Sequence, residues 1–150
     1  MFDLTKCNLS YYSVPAAFVL LVLPHAYAVR AAGRNYDLAQ PRRTDENLAK
    51  DESLDKVTVR RIQRARAAAA NGLETIGLYA AAIVAANTQG VPTRKLNLLS
   101  LGYLASRVVY NFVYVVVQDN RKTAAARPLT WGAGIAVIMS LFLSAARNSN

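Results

Sequence analysis

The apolar positions of this chain fall in four blocks, separated by charged or turn-forming stretches, and do not alternate with polar ones. The blocks cover roughly residues 11–29, 67–87, 96–118 and 128–146. Runs of about 20 apolar residues match the hydrocarbon thickness of a bilayer. The pattern predicts an all-α integral membrane protein: a four-transmembrane-helix bundle of up-down-up-down course, one domain over residues 1–150. No stretch carries the period of two that marks a strand.

Local signals set the ends of these elements. Ser53-Leu54-Asp55 supplies a cap and a first-turn acid for a second helix that runs to Asn87. At 1.5 Å per residue that helix is about 50 Å long, so its first third projects beyond the membrane. Gln89-Gly90-Val91-Pro92 then forms a tight turn, and Pro128 is suited to a helix start. Pro24 is expected to kink the first span. That span ends Ala26-Tyr27-Ala28, which could also serve as a signal-peptidase site. One Lys6 offset by Asp3, followed downstream by many arginines, favours an uncleaved anchor. Residues 30–54 read as a polar connector with no well-specified helix.

Charge changes the picture only through its placement. A net charge of +9 admits a nucleic-acid binder, but ten of the 18 Lys and Arg lie between Arg30 and Arg66. Three more, Arg121, Lys122 and Arg127, lie between the last two blocks. The positive-inside rule makes the connectors 30–54 and 119–127 cytosolic and both termini lumenal. No nucleic-acid partner is expected. The lone Cys7 allows no internal disulfide. Zinc-type spacing, phosphate-cradling glycine loops and a Ser/His/Asp set are all missing from the sequence, so no metal is expected. His25, the sole histidine, reads as a helix-interface residue.

Two polar stripes carry the candidate chemistry. Arg60, Arg64, Ala67, Asn71, Glu74 and Leu78 share one face of the second helix. Tyr103, Arg107, Tyr110 and Tyr114, at offsets of four, three and four, share a face of the third. Charged groups within a span face a protein interior or a wet cavity. Glu74 is the one acid within any span, which leaves two readings of Arg107. Either the two form a buried ion pair that fixes helix register, or both stripes line a pocket open at the basic end. Guanidinium forks at Arg64 and Arg121 would suit an anionic ligand there. The remaining arginines read as a headgroup-facing collar.

An arginine-rich helix start leading into Asn71-x-x-Glu74, then Arg107-x-x-Tyr110-x-x-x-Tyr114 and a basic third connector, resembles the MAPEG proteins. These are membrane-associated proteins in eicosanoid and glutathione metabolism and include the microsomal glutathione transferases. The resemblance covers roughly Val57 to Ala146. It implies a homotrimer of the endoplasmic reticulum, with glutathione as co-substrate between neighbouring subunits on the cytosolic side. A lipophilic small molecule would arrive from the lipid bilayer. Carried over, Asn71 and Glu74 hold the peptide's backbone and amino group, Arg64 and Arg107 make ionic contacts, and Tyr110 and Tyr114 line the pocket. Arg121 would stabilise the thiolate, with Arg127 as the alternative. Family members usually keep an arginine four residues before the asparagine; this chain has Ala67 there, beside Arg66. The implied activity is a glutathione transferase or peroxidase acting on a lipophilic electrophile or a lipid hydroperoxide. The alternative is a non-catalytic lipid-binding or scaffold protein on the same fold.

Overall fold

A computed structural model describes residues 6–118 and 125–149. Helix α1 spans Ser13–Ala32; two short turns, Gly33–Asn35 and Pro41–Arg43, lead to α2, Thr44–Lys50. Helix α3 spans Lys56–Thr88, and α4, Thr93–Phe112, continues as a π-helical turn over Val113–Val117. Helix α5 spans Ala126–Asn148. Four helices, α1, α3, α4 and α5, are long and apolar enough to cross a bilayer.

Asp55 is the N-cap of α3, where its carboxylate accepts from the amides of Val57 at 2.9 Å and Thr58 at 3.0 Å. Two otherwise orphaned donors are thereby satisfied. The helix closes into a turn in which Gly90 adopts φ 68°, and the Val91 amide returns to Ala86 O at 3.0 Å. A side chain would be strained in that left-handed conformation.

The connector before α3 has more structure than its sequence announces. Its hub is Asp51, whose side chain is only 8% exposed. It accepts from the Asn35 amide at 2.7 Å, the Ser53 amide at 2.9 Å and hydroxyl at 2.5 Å, and Arg34 at 3.1 Å. Leu48 of α2 packs beneath with Ala28, Ala32, Ile62 and Ala65. These donors, the Asn35 amide foremost, hold the Asp51 carboxyl well below the usual carboxylate range. A carboxyl depressed on folding adds stability above its unfolded pKa and loses it as pH falls toward the folded one. Order around Asp51 should therefore persist to the unfolded value of 3.8 and decay below it. Amide exchange over residues 44–53, corrected for intrinsic rates, should rise below that pH, and Asp51→Asn should remove the pH step. An identical pH step in Asp51→Asn would refute this.

Inside a bilayer, helix association rests on close packing and interhelical polar contacts, since lipid is as apolar as leucine. Gly72 lets α3 approach α1 so closely that a Cβ there would lie 2.7 Å from Leu21 Cβ. Tyr79 of α3 stacks on Tyr103 of α4 with ring centroids 3.7 Å apart, and its hydroxyl meets Ser13 Oγ of α1 at 2.5 Å. Asparagines tie helix ends together. The Asn8 amide donates to Asn87 at 2.5 Å, and Asn97 accepts from the Leu9 amide at 2.8 Å and donates to Cys7 O at 2.7 Å. The Asn148 side chain donates to Gln89 O.

One of these polar contacts repairs a defect. Pro24 lies within α1 and has no N–H, so the carbonyl four residues back, Leu20 O, loses its helical donor. The Asn111 amide of α4 donates to that carbonyl at 2.8 Å. A neighbouring helix re-satisfying a freed carbonyl is what the bilayer interior demands. Asn111→Leu should cost about 1–3 kcal/mol by leaving the carbonyl unpaired. In a Pro24→Ala background, where the helix supplies its own donor, the same substitution should cost less. Equal losses in melting temperature in both backgrounds would rule this account out.

Candidate functional site

The basic end of the bundle gathers a polar cluster from α3, α4 and α5. The Asn71 amide donates to Tyr110 Oη at 2.7 Å. The rings of Tyr110 and Tyr114 lie 5.6 Å apart, packed over Ala67 and Ala68 of α3. Small residues at these two positions leave room for both rings. Arg127 donates to Tyr114 Oη at 3.2 Å and lies over the same ring, 5.0 Å from its centroid. Arg64 donates to Val115 O at 3.2 Å.

The π-helical turn explains the last contact. There the Gln118 amide reaches back five residues to Val113 O at 2.9 Å, and the widened ladder turns the Val115 carbonyl toward Arg64. Helix α5 opens at Ala126, ahead of Pro128, so Arg127 sits in its first turn and not in the connector. A cation at a helix start is opposed by the helix dipole. The hydroxyl and π-face of Tyr114 offset that cost.

Of the two readings of Arg107, the ion pair with Glu74 does not form within the chain. Arg107 is only 6% exposed and points into the bundle, with Nη2 at 3.4 Å from Thr130 O and 3.5 Å from Trp131 O. Its guanidinium lies between ring faces, 5.4 Å from the Tyr103 centroid and 5.0 Å from that of Tyr110. Gly134 of α5 makes the space, because a Cβ there would strike the guanidinium. Glu74 is exposed and has no hydrogen-bond or ion-pair partner among the described residues. The reason is rotational: Asn71 and Glu74 stand about 60° apart around α3, so Asn71 faces Tyr110 while Glu74 falls just beyond the cluster's edge, on the exposed side.

Arg66 does not stand in for the arginine missing at Ala67. Its guanidinium pairs with Asp45 of α2 at 2.5 Å and donates to Pro41 O at 3.3 Å. Of the residues picked out in the sequence, the structure brings together Arg64, Asn71, Tyr110, Tyr114 and Arg127, with Arg107 beside them and Glu74 outside. Arg121 lies outside the described residues. No group of three or more His, Cys, Asp or Glu among those residues could hold a metal ion.

A family model, that of the MAPEG family, matches residues 11–147. The chain belongs to the MAPEG family. Comparison with curated proteins and with solved structures gives no match. Membership, joined to four bilayer-length apolar helices, makes it a multi-pass membrane protein whose surroundings are lipid. It supports a glutathione-transferase-like or eicosanoid-metabolism-like role at the level of the family.

In this MAPEG chain, sequence reasoning missed the π turn and the Val115 carbonyl, because valine runs carry no mark of a shifted ladder. It also missed Asn111, whose signal was available: a lone amide in an apolar span implies a buried acceptor, and Pro24 creates one.

Proposed function

We propose that the protein is a membrane-bound glutathione transferase or peroxidase that joins the glutathione thiolate to a lipophilic electrophile or reduces a lipid hydroperoxide. The observation that carries this reading is the Asn71–Tyr110–Tyr114–Arg127 cluster with Arg64 at its edge, polar and cationic at one end of an apolar bundle. Guanidinium and amide groups so placed suit the two carboxylates and peptide bonds of glutathione. Arg121 is the proposed thiolate-stabilising cation, since a fixed positive charge lowers a thiol pKa; Arg127 is the alternative. Asn71, Glu74 and Arg64 position the peptide, and Tyr110 and Tyr114 line its pocket. Arg107 acts from beneath by holding Tyr110.

Glu74 reaches the ligand if the site is completed by another copy. On α3, Gln63, Ala70, Glu74, Gly77, Ala81, Val84 and Thr88 are exposed at alternating spacings of four and three, around half-exposed Ala67. A carboxylate on such a small-residue face is costly against lipid and calls for a protein neighbour. A homotrimer with glutathione between subunits meets that need. The asparagine ties at the helix ends fit an up-down-up-down course, with both termini lumenal and the cluster cytosolic, in the endoplasmic reticulum.

The test is thermal. Glutathione at about 100 times its Kd should add about 2.7 kcal/mol to the folded, detergent-solubilised protein and raise its melting temperature. Asn71→Ala should weaken that shift. An intact, folded sample with neither a shift nor thiolate absorbance on mixing with glutathione would defeat the proposal. Ala67, left uncompensated by Arg66, favours a second reading: a non-catalytic lipid-binding or scaffold protein. It predicts a co-extracted lipid and no turnover with electrophiles.

A further inference from the structure

A groove of about 250 Å³ runs between α1 and α4, at the break that Pro24 makes in α1. Its rim is exposed, with Leu23 at 55%, Val108 at 52% and Tyr27 at 40%, and so opens sideways onto the bilayer. Pro24 and Val115 extend the apolar walls, and the Asn111 amide is the polar group set among them. On α4, Tyr110 turns to Asn71 of α3, whereas Asn111 turns to Leu20 of α1. Neighbouring residues of a helix stand about 100° apart, so the groove lies on a different side of α4 from the proposed glutathione site.

Only one end of the Asn111 amide is engaged. Its N–H donates to Leu20 O at 2.8 Å. A carbonyl can only accept, so that bond fixes which end of the amide is nitrogen. Oδ1 then has no donor among the described residues, and it is not sealed off from the groove that the residue lines. Asn87 and Asn97, by contrast, have both ends of their amides engaged. The hydroxyl of Tyr27 is likewise without a partner among the described residues. Leu20 and Tyr27 are seven residues apart, which puts that hydroxyl about 10 Å from Asn111 toward the basic end of the bundle.

We infer that this groove binds a lipid chain carrying a hydroxyl partway along its length, which donates to Asn111 Oδ1. An amide oxygen left without a donor in hydrocarbon costs free energy that one ligand hydrogen bond recovers. Water is a poor occupant, because it needs two to four polar partners and the groove offers one amide at this depth. No charged side chain lines the groove among the described residues, so an ionised donor would be desolvated without compensation. A hydroxyl borne on an acyl chain meets both conditions. The chain lies along Leu23, Pro24, Val108 and Val115, and its polar head reaches the level of the Tyr27 hydroxyl.

The probe is a long-chain fatty acid methyl ester bearing a diazirine and a mid-chain hydroxyl. It is compared with the same ester lacking the hydroxyl, on the full chain in nanodiscs and without glutathione. The hydroxylated ester should label peptides covering residues 20–27 and 108–115 about threefold to tenfold more, the worth of one hydrogen bond. Asn111→Leu alone would orphan the Leu20 carbonyl, so it is made in the Pro24→Ala background, where the helix supplies its own donor. There it should abolish the preference that Pro24→Ala by itself retains. Val108→Trp, which fills the groove from an exposed position, should remove labelling of residues 20–27 while the melting temperature holds. Equal labelling by both esters, a preference that survives Asn111→Leu in that background, or undiminished labelling in Val108→Trp would overturn the inference. Because glutathione is absent, these outcomes are independent of whether the protein binds it.

Discussion

Gly134→Ala should lower the melting temperature by about 6–20 °C, far more than one added methyl normally costs. Overpacking alone costs about 1–3 kcal/mol. Here the methyl would strike the Arg107 guanidinium, whose setting is two backbone carbonyls and two tyrosine ring faces. Pushing a buried cation off its partners costs about 3–5 kcal/mol, and each kcal/mol is worth about 2–4 °C in a chain of this size. Arg107→Met removes the object struck, so adding Gly134→Ala to it should do less damage than Gly134→Ala does alone. A double-mutant cycle gives the coupling directly. Additive losses would mean that Gly134 does not serve Arg107.

Arg121→Ala should abolish thiolate absorbance and reduce glutathione-dependent turnover by about 10²–10³-fold, the usual scale for one preorganised electrostatic partner. Arg127→Ala should do less, because the Arg127 guanidinium is already engaged by the hydroxyl and ring of Tyr114. Its loss should loosen Tyr114 and show mainly as weaker glutathione binding. The reverse result would assign the thiolate to Arg127. No effect of either substitution on a folded protein would remove the transferase reading altogether.

The four apolar blocks, a helix start at Ser53–Asp55 and the separate faces that carry Asn71 on one helix and Tyr110 and Tyr114 on the next were all legible in the chain. Each rests on periodicity or on capping chemistry, which are local. The Glu74–Arg107 relation was not legible. Complementary charge argued for a pair, whereas helix rotation and the gap at Gly134 send the two groups in different directions. Neither the rotation of one helix against another nor a gap in a third is a property of any short segment. The order around Asp51 was hidden for a related reason: Asn35, Asn47 and Ser53 acquire meaning only once the chain turns back on itself.

The π turn at Val113–Val117 makes α4 a helix of two phases. One extra residue in the ladder advances everything beyond it by about 100° relative to a continuous α-helix. A seven-residue step keeps both side chains on one face of an unbroken helix, and a step that crosses the slip does not. Deleting one valine from this turn would restore the phase while leaving Asn71 and Tyr110 in place. It would also withdraw the Val115 carbonyl from Arg64. The third span is thus divided into an α-helical arm that carries Tyr103 and Tyr110 and a short vernier that aims Tyr114.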